Sequence, residues 1–411
     1  MVAEGRRAGS RMERKHWELA LLLTAVLSVS MSSGVILPIL PFLVERMAGS
    51  EAVTIAMHTG ALTGVYTFVL FICSPLWGRL SDHVDRRHLI AAGLAGTSIT
   101  LMMLDVVVSL RAFYLVRVLS GVLAATVLPA VLAYAAETSE ASKRPQRFSL
   151  IASATTLGFL LGPVIGNQLS SMALSPFVEM RIAGVIMPDS PFFTIALLGL
   201  LSASTALFLP RSLDRRPLAA TGNGAAQVPV NQHQVFMGLI LTCISAFCIT
   251  IAEVGITLLG KQVLSMTSQE IARFFLGCAI VMMVVQVAIF PACSQRIPMG
   301  GLLAGALTMV AIGIGLIPFG DSLTRIMLAF ASVSAGIAIA IPALATLISG
   351  AAGARQGQAM GQQAAAANLG QAVAATLTGF LFSVTAAAPF LAATALAAGG
   401  IAMAVCLQRS G

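Results

Sequence analysis

The chain has 411 residues, 57% of them hydrophobic and only 10% charged, with a mean hydropathy of +0.92. Soluble domains carry about 25% charged residues, so this composition excludes a water-soluble globular protein and makes the lipid bilayer the solvent. The net charge of +8 does not point to nucleic acid, because the basic residues lie in short tracts between apolar runs and form no aromatic-interleaved face.

A helix that crosses a bilayer needs about 20 mainly apolar residues. On that template the sequence predicts twelve, at 18–44, 54–77, 88–109, 112–136, 148–171, 190–209, 235–259, 271–292, 299–318, 323–348, 359–386 and 388–407. Residues 1–17 read as a cytoplasmic N-terminal arm, basic and without fixed structure as far as Met12, which is an alternative start to Met1. Residues 18–209 then make a first six-helix bundle, 210–234 a polar central loop ("PRSLDRRPLAATGNGAAQVPVNQHQ"), and 235–411 a second bundle. The predicted fold class is an all-α integral membrane protein with two pseudo-symmetric halves. Short matches support the repeat: "SATTLG" and "AAANLG" occupy the fifth span of each half, and Pro129 and Pro342 the fourth. Seventeen of the 24 lysines and arginines fall on the side of the N-terminus and six on the other, which places both termini in the cytoplasm.

Between the second and third spans lies "GRLSDHVDRRH", residues 78–88, dense in charge between runs that have almost none. Arginines there satisfy the positive-inside rule, but Asp82 and Asp85 are not required by it. Acids at such a position suit a contact with a neighbouring helix end that forms in one conformation and breaks in another. Within the spans, Arg117 stands in the fourth, where a charge at the helix centre costs about 2.5–3.5 kcal/mol on insertion scales and marks a functional position. Glu253 lies well inside the seventh span; removal from water favours the protonated form of a carboxylate, which makes it a candidate proton carrier. The fifth span carries Gly158, Gly162, Pro163 and Gly166, a smooth and bendable face suited to a pivot. Gln362, Gln363 and Asn368 in the eleventh span, with Gln286 in the eighth, are uncharged hydrogen-bonding groups that could line a substrate cavity or hold helices together.

These pieces resemble the major facilitator superfamily. "GRLSDHVDRRHLI" is similar to its signature between helices two and three, matching at Gly78, Leu80, Asp82, Arg86 and Arg87, with Asp85 where the signature has a second glycine. "RVLSG" is similar to the fourth-helix motif through Arg117 and Gly121, with Ser120 in place of the usual glutamine. "GFLLGPVIGN" is similar to the fifth-helix motif of proton-coupled exporters, with Asn167 departing from it. The resemblance is to the twelve-helix drug and proton antiporter branch, which includes multidrug and tetracycline exporters. It implies Gly78, Asp82, Arg86 and Arg87 as a conformational latch, Arg117 as a participant in proton coupling, and the fifth-helix glycines as the pivot. Some members of the branch carry a membrane-embedded acid in the first or fourth helix; this chain has none embedded there, and Glu253 is the carboxylate that remains.

The expectation is therefore a proton-driven exporter of small amphiphilic compounds such as drugs, working by alternating access as a multi-pass protein of the inner (plasma) membrane. Export of a specific metabolite such as a siderophore, uptake by proton symport, and a membrane sensor that transports nothing are the alternatives. The expected partners are a small-molecule substrate, protons and the lipid bilayer, with no nucleic acid, and the expected state is a monomer. No enzyme is expected: the five histidines share no span. No phosphate-cradling glycine loop is present, and the six cysteines are scattered without a CxxC pair, so neither a metal nor another cofactor is called for. The proton gradient is the expected energy source.

Overall fold

The computed structural model describes residues 2–48, 52–171, 181–182, 185–186, 191–210, 231–262, 264, 268–353 and 355–410. Its α-helices are α1 Val2–Ala48, α2 Ala52–Ser81, α3 Arg86–Val106, α4 Leu110–Ala124, α5 Val127–Thr138, α6 Arg144–Ser171, α7 Pro191–Ala206, α8 Gln232–Gln262, α9 Ser268–Val284, α10 Phe290–Ser294, α11 Met299–Leu316, α12 Leu323–Ala351, α13 Gln356–Val384 and α14 Ala388–Ser410. A two-residue antiparallel ribbon, Arg181–Ile182 with Val185–Ile186, precedes α7. Among the described residues, nine stretches are long and apolar enough to cross a membrane, and Phe192–Ala206 is a shorter apolar helix.

The helices fall where the hydropathy puts them, with three differences. The residues before Met12 are not without fixed structure; from Val2 onward the arm continues α1 as one helix, consistent with a composition rich in Ala, Arg, Glu and Met and with no proline before Pro38. The fourth predicted span is two helices, α4 and α5. Pro129 has no N–H to donate to the carbonyl of residue 125, and Thr126 turns back to bond the Leu123 carbonyl through both N–H and hydroxyl, at 3.2 and 2.8 Å. The eighth predicted span changes hydrogen-bond pattern midway: Val285–Ile289 is a π-helical turn joining α9 to α10. Of the central loop 210–234, residues 211–230 lie outside the described residues.

In a bilayer there is no hydrophobic drive between helices, so tight association relies on small residues that let backbones approach. The α1 and α6 pair works this way. A side chain added at Gly158 would stand 2.5 Å from the Leu27 carbonyl oxygen, and one at Gly162 2.5 Å from that of Met31. Pro163 and Gly166 belong to the same helix, but the surroundings of their side chains lie outside the described residues. Gly162→Leu is expected to force the two helices apart at an overpacking cost of about 1–3 kcal/mol. A lower thermal midpoint for the purified protein in detergent would show it; an unchanged midpoint would remove the close packing from the account.

The buried apolar residues form four clusters. Two are drawn from residues 21–209, joined by Ala345, and two from residues 241–407, joined by Ala133. The exceptions mark where the two sets of helices touch: Ala133 of α5, a helix that packs on α12 and α13, belongs to a cluster of the second set, and Ala345 of α12, a helix that packs on α5 and α6, to a cluster of the first. The second contact is α2 against α13, where Gly78 faces Gly357 and Gly361. A side chain added at Gly361 would meet the Ser74 carbonyl oxygen at 2.5 Å, so this seam closes only with bare backbone on both sides.

Candidate functional site

The acid-containing turn ends α2 and starts α3. Asp82 reaches across to the N-terminus of α13: its Oδ1 accepts from the Gly357 N–H at 2.8 Å and its Oδ2 from the Gln358 N–H at 2.9 Å. The first N–H groups of a helix have no partner within it and carry the positive end of its dipole, so a carboxylate is the group this end attracts. Asp82 is held by Arg86, whose Nη2 lies 3.0 Å from Oδ1 while its Nη1 pairs with Glu137 at the end of α5. The Arg86 Nε donates to the Ser81 carbonyl at 3.2 Å, and the whole side chain is buried. Two acids and one arginine thus tie α2, α3 and α5 together and present one carboxylate to α13. Gly78, one turn earlier, is what lets α13 come this close. Arg87 does not join this contact; it pairs with Asp85 at 3.2 Å, and Asp85 caps α3 through the Arg87 N–H.

The second feature is a small cavity of about 20 Å³, partly open to solvent, between α1, α2, α3 and α4. Arg117 forms its charged wall. Its guanidinium carbon lies 4.2 Å from the centre of the Tyr66 ring, a cation–π contact, and its Nε donates to the Leu62 carbonyl at 3.4 Å. Among the described residues no carboxylate pairs with it. Ser32, Ser33, Thr97 and Ser120 add hydroxyls to the walls, and Val29, Ile36, Leu101 and Ala124 add apolar surface. The Tyr66 hydroxyl shares a hydrogen bond of 3.2 Å with Ser33. Tyr66 faces α4 because Gly121 has no side chain: one added there would touch the Tyr66 carbonyl and Val69 at 3.0 Å.

Glu253 sits on α8, away from this cavity. Its helical neighbours Cys248, Ile251, Ala252, Ile256 and Leu259 are packed in an apolar cluster, whereas Glu253 and Thr257 are exposed on another face. The amide candidates are not brought together around the cavity. Gln286 lies in the π-helical turn, fully buried, with no hydrogen-bond partner for its side-chain oxygen or nitrogen among the described residues, while its backbone carbonyl accepts from the Ser149 hydroxyl of α6. Gln363 is buried with its Oε1 unpartnered, and Gln362 and Asn368 are half-buried on α13.

The sequence reading missed Glu137 and Tyr66. Each had a weak signal: Glu137 is an acid closing an apolar run, in "AAETSE", and Tyr66 is one of three tyrosines in the chain. It also left the target of Asp82 and the neighbour of Arg117 open, since one sequence does not tell which helices touch.

The Major Facilitator Superfamily model matches residues 22–375. The chain is 26% identical to Multidrug resistance protein 1 of Bacillus subtilis over 396 residues, covering 96% of this chain and 97% of that protein. It is 24% identical to the Quinolone resistance protein NorA of Staphylococcus aureus, covering 93% and 95%. Over 191 residues it is 34% identical to the class B tetracycline resistance protein of Escherichia coli, covering 46% of this chain and 43% of that one. Among solved structures, the human organic anion transporter MFSD10 superposes with a TM-score of 0.78 at 19% identity, covering 95% of this chain and 99% of that one. The proton:xylose symporter XylE superposes with a TM-score of 0.75 at 14% identity, covering 96% and 95%. With its apolar helices and this match across most of its length, the chain belongs to the major facilitator superfamily and is a multi-pass transporter of the plasma membrane.

Proposed function

We propose that this chain exports small, amphiphilic organic compounds in exchange for protons, by alternating access between two six-helix halves. In this reading the twelve helical stretches each cross the bilayer and both termini lie in the cytoplasm. The observation that carries the reading is the bond from Asp82 to the N-terminus of α13, because it joins the first half to the second through charge and backbone and not through an apolar seam. Such a contact can open as a unit when the halves rock, and water then solvates each side. Its position between the second and third helices makes it the cytoplasmic latch, so the conformation described is closed on that side. Names of the relatives support the class of cargo: multidrug and quinolone resistance proteins match it over most of its length and a tetracycline resistance protein over nearly half.

Arg117 and Glu253 supply one fixed positive and one titratable negative site, in the first and second half respectively. In this reading the Glu253 carboxylate takes a proton from the outer solution while the latch is shut. The same group, carried to the inner side, releases it. No other component is needed beyond the proton gradient, and the working unit is a monomer.

The test uses proteoliposomes containing the purified protein, a pH-sensitive dye inside and an imposed proton gradient. Proton movement that appears only when a cationic or zwitterionic amphiphile is added is the expected result. No compound-dependent signal across a chemically broad panel, with protein shown to be correctly inserted, would overturn the reading.

A further inference from the structure

We propose that the cavity beside Arg117 is an anion site, holding a monovalent anionic group that is either a free ion of halide size or a carboxylate carried by the transported molecule. The second source rests on the export reading; the first does not. Arg117 is 3% exposed, yet its recorded neighbours neutralise none of its charge: a ring face and one carbonyl oxygen, with no carboxylate among the described residues. A buried, uncompensated cation is among the most costly arrangements a protein can hold, and a small anion beside it removes that cost.

The walls decide the size and the chemistry of the guest. Ser32 and Thr97 donate their hydroxyl protons to carbonyls of their own helices, at 3.0 and 2.9 Å, so they offer oxygen and not a free donor. The donors left are the guanidinium and the Ser120 hydroxyl, which has no hydrogen-bond partner among the described residues. Ser120 stands one helical turn beyond Arg117 on α4, and its short side chain leaves the space that a longer one would fill. Val29, Ile36 and Leu101 close the rest with apolar surface, and a space this small takes a bare halide or the head of a carboxylate whose apolar body lies toward the open side. A planar guanidinium binds a carboxylate through two parallel N–H bonds and a halide through one, so the cavity serves both and ranks them.

The test is thermal unfolding of the purified full-length protein in detergent, at constant ionic strength with bulky gluconate as the background anion. Sodium chloride and sodium benzoate are titrated separately, with benzamide as the neutral control. Saturable stabilisation by chloride, benzoate or both, and none by benzamide, is expected. Arg117→Gln and Ser120→Gln should raise the half-saturating concentration about tenfold or more, whereas Arg117→Lys should stay within about threefold for chloride and lose more than that for benzoate, whose two-pronged bonds need the guanidinium. Chloride acting alone identifies the free ion as the occupant; benzoate acting at lower concentration, with chloride competing, identifies the carboxylate. Ser120→Gln keeps the charge and fills the space, so it decides the matter even where Arg117→Gln fails to fold. Absence of any saturable effect, an equal effect of benzamide, or unchanged half-saturation in Ser120→Gln would overturn the site. None of these measurements uses a gradient, so a failed anion site and a failed export reading remain distinguishable.

Discussion

Asp82→Asn is expected to cut transport about tenfold or more while leaving membrane insertion intact. The carboxylate uses both oxygens on α13, at 2.8 and 2.9 Å, and pairs with Arg86 at 3.0 Å. An asparagine has one acceptor oxygen, so its amino group would face either an N–H of α13 or the guanidinium. Hydrogen bonds to a charged group contribute about 1.5–3 kcal/mol each, and losing one shifts the equilibrium between latched and open forms about tenfold or more. Arg86 would keep Glu137 as its counter-charge, which holds the turn in place and makes the lesion conformational. Cysteine accessibility separates this from misfolding. In a background with the native cysteines replaced, Ser74→Cys lies in the α2–α13 seam and should label slowly when the latch is intact and faster with Asp82→Asn. Asp85→Asn is the control, because Asp85 pairs with Arg87 and caps α3 without crossing to α13. Equal labelling rates and near-normal transport in Asp82→Asn would remove the latch from the mechanism.

That contact also shows how far one sequence carries. The charged turn, its two acids and its suitability for a helix end were legible, because charge between two apolar runs stands out against the membrane pattern. The target was not: α13 begins 274 positions after Asp82, and nothing local to "ARQGQAM" says which turn will dock on it. Arg117 was legible for the same reason as Asp82, as a charge where none belongs, but Tyr66 and the cavity depend on how α2 and α4 rotate against each other. The breaks at 125–126 and 285–289 were hidden for a different reason. Hydropathy measures transfer into lipid and is blind to backbone hydrogen bonding, so a run interrupted by Pro129, or shifted to a π-helical turn, reads as one continuous span. The pairing of Gly158 and Gly162 with α1 lies between these cases: the spacing gave the smooth face, and only the fold gave its partner.

Glu253→Gln is expected to abolish proton-driven exchange while leaving the protein folded and able to bind cargo. Beyond residue 231 the acids are Glu253, Glu270 and Asp321. Asp321 is two-thirds exposed and pairs with Arg325, and Glu270 lies in the first turn of α9, so Glu253 is the carboxylate placed well within a helix. Glutamine matches its shape and imitates the protonated form permanently. A coupled exchanger that moves one proton per cycle draws about 1.4 kcal/mol from each unit of pH gradient, enough for about a tenfold gradient of cargo. In the variant that link is gone: cargo would still equilibrate, but no pH gradient would concentrate it, and the rate would lose its dependence on outer pH. Glu253→Asp should keep the coupling, since the titrating group survives one methylene shorter, and Thr257→Val on the same face should leave it unchanged. The reading from internal dye and labelled cargo together is decisive. Loss of coupled proton movement with cargo exchange retained places the proton on Glu253; an unaltered pH profile would take it off the pathway and leave the coupling to the Arg117 side of the molecule.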